Sequence, residues 1–254
     1  MPIPTKLKGM TRRRFIADSW TATTATLTGD QAIHLARVLR AEPGQVYDIV
    51  SNGFLHRAEI TRVTEQQVDF TLHEELSSDA ALPLHLLLAV FKFDHMEWAI
   101  EKATELGVSR ITPILARRTE KHLAQFSAKR VERWRRITLE ASKQSRRTTI
   151  PEVADPTQLK AALEHETTPT RILLSETEQA TTLSNALQAS VRSVASEAAG
   201  HSLAIAIGPE GGWTPEEISL FTQHQWQPVT LGPRILRAET AAIAAIAIAA
   251  THLC

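Results

Sequence analysis

The sequence has almost no cysteine. Cys254 is the only one, which excludes an intramolecular disulfide and any zinc site built on thiolates. Net charge is also missing, because 28 Lys and Arg balance 28 Asp and Glu. Any signal for a nucleic acid must therefore be local. Long apolar runs are absent. The longest Ala/Ile stretch, Ala241 to Ala250, falls far short of the roughly 20 residues of a membrane span. No apolar h-region follows the basic N-terminal residues, so the expectation is a cytoplasmic protein with no membrane partner. The ten histidines show no H-E-x-x-H or similar spacing, and no metal is expected. Neither G-x-G-x-x-G nor a Walker A loop occurs, so neither a dinucleotide nor an NTP phosphate cradle is supported. No repeat at solenoid spacing is visible. What remains is 254 residues, 43% hydrophobic and 22% charged, an ordinary soluble composition for one large domain or two smaller ones.

The last fifty residues hold the clearest pattern. Leu203 to Ile207 is a short apolar run that suits a buried strand. Gly208-Pro209-Glu210-Gly211-Gly212 breaks it with a turn whose backbone N–H groups can approach a ligand. Thr214, Pro215 and Glu217 then read as N-cap, N1 and N3 of a helix with a capping box. The plan repeats: Val229 to Leu231 as strand, Gly232-Pro233-Arg234 as turn, Glu239-Thr240 opening an Ala/Ile helix. Two such units put two loops and two helix starts at one end of a sheet, where open α/β sheets bind ligands. Two ordinary tight turns are the competing reading.

Residues 1–76 read as β-rich. Val46 to Val50, Phe54 to Val63 and Val68 to Leu72 are strand-like, with a hairpin turn at Ser51-Asn52-Gly53. Short strands with tight turns suggest a small barrel. Arg12, Arg13 and Arg14 beside Phe15 form either a solvated arm or a contact to RNA phosphate. Asp30 is placed as the cap of a short helix, Gln31 to Arg40, with Arg37 and Arg40 on one flank. A polar linker near residues 77–83 precedes alternating strands and helices, a mainly parallel sheet over 77–254. Leu84 to Val90 is a strand, and Asp94 is placed as the cap of the next helix, which Gly107 ends. From Arg117 to Arg147, eleven Lys and Arg stand against three Glu. Ser127 is placed as the cap of a long helix there, with Val131, Trp134, Ile137 and Ala141 buried. Its arginines, Arg135 and Arg136 with Arg146 and Arg147 just beyond, form either a solvated face or an RNA contact.

GPEGG followed by LGPRILRAETA resembles the RsmE family of 16S rRNA uridine methyltransferases, of the SPOUT (trefoil-knot) class. HLARVLRAEPGQ is similar to that family's H-x-x-x-V-L-R-x-x-x-G-x pattern. MEWAIEKATELGVSRITPI is similar to its M-E-x-x-x-x-K-A-x-E-L-G-V-x-x-I-x-P. Three positions depart. Phe93 stands where glycine is common, and Lys143 and Arg146 replace the acid and the glycine of E-Q-S/C-G-R, whose Gln144, Ser145 and Arg147 match. The resemblance implies an α/β fold, with a C-terminal SPOUT trefoil-knot methyltransferase domain and an N-terminal PUA-like RNA-binding β-barrel.

It also implies S-adenosyl-L-methionine bent among three loops. Leu174, Ser175 and Glu176 belong to the first. Ile207, Gly208, Pro209, Glu210, Gly211 and Gly212 belong to the second. Leu231, Gly232, Ile235, Leu236, Arg237 and Thr240 belong to the third. A homodimer is implied, as is methyl transfer to N3 of a uridine in 16S rRNA within the small ribosomal subunit. Uracil N3 must lose its proton before or during attack. Glu176, Glu210 and Glu239 are the loop carboxylates available as base, and Arg237, with Arg147 as a second candidate, would stabilise the developing anion or bind a phosphate. Arg234 and Arg237 have a competing reading as ion-pair partners of nearby glutamates. The terminal Ala/Ile helix suits either a dimer contact or a core. Two rivals stay open: a related SPOUT enzyme acting on tRNA or a ribose 2′-hydroxyl, and a non-catalytic RNA-binding protein.

Overall fold

A computed structural model describes residues 14–77, 80–194 and 202–253. Arg12 and Arg13 lie outside the described residues. The chain divides into two compact units, residues 1–80 and 81–254.

The first unit is a curled sheet. It contains β1 (Arg14–Ile16), β2 (Ser19–Trp20), β3 (Thr24–Thr28), α1 (Gly29–Ile33), β4 (Val46–Ser51), β5 (Phe54–Val63) and β6 (Gln67–Leu76). The strand order is β1-β4-β5-β6-β3-β2, so consecutive strands β1 and β2 stand at opposite ends of the list. Two residues bring those ends together. Ala17 N–H bonds to Val50 O at 2.8 Å and Asp18 N–H to Thr26 O at 2.9 Å, which closes the sheet as a barrel. Phe15, Leu27, Leu35, Ile49, Ile60 and Phe70 fill it. Helix α1 starts at Gly29, one residue before the expected cap, and Asp30 lies in its first turn. Thr28 makes no side-chain cap; its amide and hydroxyl both donate to Asp18 Oδ2. The helix continues as a π-turn, His34–Val38, and stops at Arg40, whose φ is +49°.

The second unit continues with β7 (Leu82–Ala89), α2 (Phe93–Glu105), β8 (Val108–Leu115), α3 (Lys121–Ser127), α4 (Val131–Gln144), β9 (Glu152–Val153), β10 (Thr157–Gln158) and α5 (Leu159–His165). It ends with β11 (Thr170–Leu174), α6 (Leu183–Val194), β12 (Leu203–Ile207), α7 (Pro215–Gln223), β13 (Gln227–Val229) and α8 (Ala238–Leu253). The sheet order is β10-β8-β7-β12-β11-β13, all parallel. Both faces are covered, which is why these strands read as continuous apolar runs. Alternate residues of β7 point to opposite sides. Leu84, Leu86 and Leu88 pack with Met96, Trp134 and Ile246, while Leu87 and Ala89 pack with Trp213, Phe221 and Trp226. Each such fully buried leucine contributes about 1.5–3 kcal/mol.

Two helix starts differ from expectation. Lys92, not Asp94, precedes α2, and no side chain caps it. Ser127 closes α3 rather than opening α4. Its hydroxyl donates to Ala124 O at 2.8 Å, so it bonds backward within its own helix. A 3₁₀ turn, Ala128–Arg130, then leads into α4. Phe93, at the position where the family pattern has glycine, has ordinary backbone. Its ring centroid lies 6.2 Å from that of Trp134, and the Arg130 guanidinium covers it at 4.7 Å.

The C-terminal passage is threaded. The loop from Ser175 to Thr182 leaves β11 and returns to grip the end of β13 from its other side. Ser175 N–H bonds to Val229 O, Thr230 N–H to Thr181 O and Leu183 N–H to Thr230 O. The end of β13 therefore lies between the two arms of that loop, and α8 packs its Ala242, Ala245, Ile246 and Ala249 into the core. This is the trefoil-knot arrangement of the expected fold class.

A largely buried polar cluster joins β7, β8 and the segment after α5. His85 on β7 bridges Glu166 and Thr112. Burial raises the Glu166 pKa, but hydrogen bonds from His85 and Thr168 outweigh it and hold it at about 2, below the ordinary 4.5. A depressed carboxyl contributes stability that is complete above the unfolded value and is lost as pH falls toward the folded one. Denaturant melts should therefore show wild-type stability falling between about pH 4.5 and pH 2. Glu166→Gln should flatten that fall and lower stability at neutral pH by about 3 kcal/mol.

Candidate functional site

Strands β11, β12 and β13 end side by side, and their three following loops surround a cavity of about 830 Å³. The floor is apolar, from Leu174, Ile207, Val229 and Leu231, and the walls are the loops.

The first loop is held by its own polar groups. Ser175 Oγ and Thr177 Oγ1 lie 2.8 Å apart. Glu178 Oε1 accepts from the amides of Ala180 and Thr181. Those amides, Thr181 first, hold the Glu178 carboxyl below its ordinary pKa.

The second loop is a turn, with Gly212 N–H bonded to Pro209 O at 2.8 Å. Its glycines have separate reasons. A Cβ on Gly208 would lie 3.1 Å from Trp213 Nε1, so glycine there is a packing requirement. Gly212 has open space, with only Glu176 Oε2 at 3.9 Å from a Cβ, but its φ is +68°. Its requirement is therefore backbone conformation, not room. The loop is anchored across the sheet. Thr214 and Glu217 form the expected capping box, and Glu217 Oε1 also accepts the Arg117 amide at 2.7 Å. Arg118 Nη1 donates to Gly211 O at 2.6 Å and Trp213 O at 3.3 Å.

In the third loop the Thr230 hydroxyl bonds both the carbonyl and the amide of Gly232. Ile235 is 82% exposed while lining the cavity. Arg234 and Arg237 also line it, and neither pairs with a carboxylate among the described residues.

Every residue expected on the three loops lines this cavity except Thr240. Ala238 and Ala241 give α8's cavity face, and Thr240 points elsewhere. Sequence reasoning missed Arg118, Thr177, Glu178, Gln179 and Trp213. Arg118 carried a usable signal, since it follows the C-terminal end of β8, where open sheets place ligand contacts.

The three catalytic candidates are not brought together. Arg237 faces the cavity. Glu239 is buried on another face of α8, its side chain 3% exposed, with Oε1 3.5 Å from His95 Nδ1. Glu239 Oε2 and His95 Nδ1 both lack a hydrogen-bond partner. The Glu239 carboxylate thus sits between α8 and α2, outside the cavity lining. Arg147 donates to Thr104 O at 2.7 Å, in the last turn of α2 and so at the end of the sheet where the strands begin, away from the cavity. Burial lowers its pKa to about 10. Within one chain it does not reach the cavity.

The RNA candidates separate too. On the barrel unit, Arg37 pairs with Glu65 at 3.2 Å, both well exposed, a contact weak enough to be exchanged. Arg40 is exposed, and Arg14 is half-buried on β1. On the second unit Arg135 is fully engaged, with Glu132, Asp155 and Val153 O. Arg136 is exposed with no such partner. Arg146 has φ +59° and ends α4 in a Schellman arrangement, with Arg146 N–H to Lys143 O and Arg147 N–H to Ser142 O. This is the position where the resembled pattern carries glycine, and the left-handed backbone gives the physical reason.

A model of the RNA methyltransferase domain family matches residues 78–250. Ribosomal RNA small subunit methyltransferase E of Bacillus subtilis is 32% identical over 229 residues, covering 89% of each chain. The Synechocystis protein of the same name is 35% identical over 226 residues, 88% of this chain and 72% of that one. The crystal structure of the Neisseria gonorrhoeae ribosomal RNA small subunit methyltransferase E, bound to S-adenosyl methionine, superposes with a TM-score of 0.76. It is 28% identical and covers 94% of this chain and 97% of that chain.

Three stability outcomes follow from the geometry. Arg146→Gly removes a left-handed non-glycine residue and should raise the denaturant midpoint, by about 1 kcal/mol in unfolding free energy. His95→Ala leaves the Glu239 carboxylate buried alone and should cost about 2 kcal/mol. Glu239→Gln should cost less in the same urea titration.

Proposed function

The chain belongs to the ribosomal RNA small subunit methyltransferase E family, and from that premise we propose that it methylates N3 of a uridine in 16S rRNA. The donor is S-adenosylmethionine, which supplies a methyl group already activated on a sulfonium centre. The observation that carries this reading is the cavity walled by three loops at the ends of β11, β12 and β13, with Arg237 lining it.

The residues present fit the donor. The apolar floor suits a purine ring. The Gly208–Gly212 loop leaves open space at its turn, where a Cβ on Gly212 would have no neighbour closer than 3.9 Å. Loop amides there and in the segment from Leu231 to Arg237 would hold the adenosine and amino-acid ends. Holding donor and acceptor in line is the protein's main contribution to such a transfer.

The proton on uracil N3 needs an acceptor. Glu178 is committed to its loop amides, and Glu239 is buried away from the cavity. Glu176 and Glu210, both exposed on the cavity wall, are the carboxylates left to take it. Arg237 faces the same space and would stabilise the uracil anion as N3 loses its proton. The assembled small subunit in the cytoplasm is the proposed substrate. The proposed form is a homodimer. Thr240, Ala244, Ala247 and Thr251, spaced along one flank of α8 and each exposed or partly exposed, offer small side chains that a second backbone can approach closely.

The deciding experiment supplies methyl-labelled S-adenosylmethionine and small subunits lacking the modification, then digests the RNA and identifies the labelled nucleoside. Label in 3-methyluridine is expected. Label in another nucleoside would discard the acceptor, and donor binding without transfer would point to a different RNA. In this assay Arg237→Ala should lower kcat by about 100-fold with little change in donor affinity. Gly212→Val should weaken donor binding in calorimetry, because valine cannot hold the left-handed turn.

A further inference from the structure

We propose that the flank of the helical run 121–144 carrying Phe126, Lys129 and Arg136 docks single-stranded RNA beside the methylated nucleotide. Phe126 stacks on a base, and Lys129 and Arg136 hold phosphates. The proposal rests on the reading of the cavity as an RNA methyltransferase site.

Phe126 is 46% exposed on a helix whose neighbours Leu123 and Ser127 are buried. The ring is half covered and leaves the other half of its surface open to a partner. Directly after it the chain makes the 3₁₀ turn Ala128–Arg130. Residues three apart along a helical path are neighbours, and Lys129 Nζ sits 5.4 Å from the Phe126 ring centroid. The α4 helix then carries the line forward, because residues 129, 133 and 136 fall on one flank at 3.6 residues per turn.

Charge complementarity selects the occupant. Each carboxylate near this flank is already paired: Glu97 with Arg133 and Arg130, Glu132 with Arg135, Glu140 with Lys143, and Glu120 with His122. Lys129 and Arg136 form no ion pair among the described residues, so the flank keeps a net positive charge. An exposed aromatic with uncompensated cations matches the stacking and phosphate contacts of single-stranded nucleic acid.

A short stretch of chain connects the flank to the cavity. Arg118 lines the cavity, and α3 begins at Lys121. The intervening chain and one short helix place Phe126 within roughly 20 Å of Arg118. Thr119 pins that connection, donating its hydroxyl to Val90 O at 3.0 Å.

The test uses the full-length protein with small subunits as substrate. Phe126→Ala should raise KM for the subunit about ten-fold, leaving kcat and donor affinity unchanged. Phe126→Trp, which keeps a stacking face, should restore KM. Combined Lys129→Glu and Arg136→Glu should reduce the slope of log affinity against log salt by about 2, read in filter binding with 16S rRNA. Unchanged KM and an unchanged salt slope would overturn the proposal. So would a Phe126→Ala protein whose sedimentation changes while its KM does not, since the flank would then join two copies of the chain. If the wild-type protein methylates no uridine, the functional reading fails separately, and the filter-binding slope still decides whether this flank binds RNA.

Discussion

The second unit depends on the grip that one loop keeps on the end of β13. Val229 and Thr230 are bonded by Ser175, Thr181 and Leu183, from both arms of the segment between β11 and α6. That single contact sets the third loop beside the first. It also delivers α8 to the core, where its buried alanines and Ile246 meet α2 and β7. Without it the Leu231–Arg237 segment would be a surface loop with no reason to face Leu174 and Ile207. The cavity is therefore a consequence of threading, and the glycines shape a space that the topology creates.

The second loop is held by a different device. Glu217 is a helix cap and a cross-sheet anchor at once, with one oxygen on the Thr214 amide and the other on the Arg117 amide. Arg118 completes the bracket from the same turn by holding two carbonyls of the loop. One short segment after β8 thus positions the glycine turn by its backbone and by its side chain. The loop can be rich in glycine and still be ordered, because its hydrogen bonds are satisfied from outside.

Local chemistry was legible in the sequence, and distant geometry was not. The capping box at Thr214 and Glu217, the apolar strands and the Asn52-Gly53 hairpin are encoded by neighbours in the chain, and they stand where the pattern puts them. Glu239 is the opposite case. Its place in a loop motif suggested a base, but which face of α8 it occupies depends on how that helix packs. Ser127 has the composition of a cap, and its hydroxyl bonds backward instead. Arg135 belongs to a strongly basic segment, yet Asp155 and Val153, distant in sequence, neutralise and hold it. The departures from the family pattern divide in the same way. At Arg146 the backbone is left-handed, as glycine prefers, whereas Phe93 has become part of the packing between α2 and α4.

The threaded passage also has a direction in time. Val229 and Thr230 are held from both arms of the loop from Ser175 to Thr182, so this grip can form only once β13 has met both arms. Ser175 and Val229 are far apart in the chain, so their pairing carries the entropy cost of closing a long loop. The cavity is thus among the slowest parts of the molecule to assemble, although each of its loops is short.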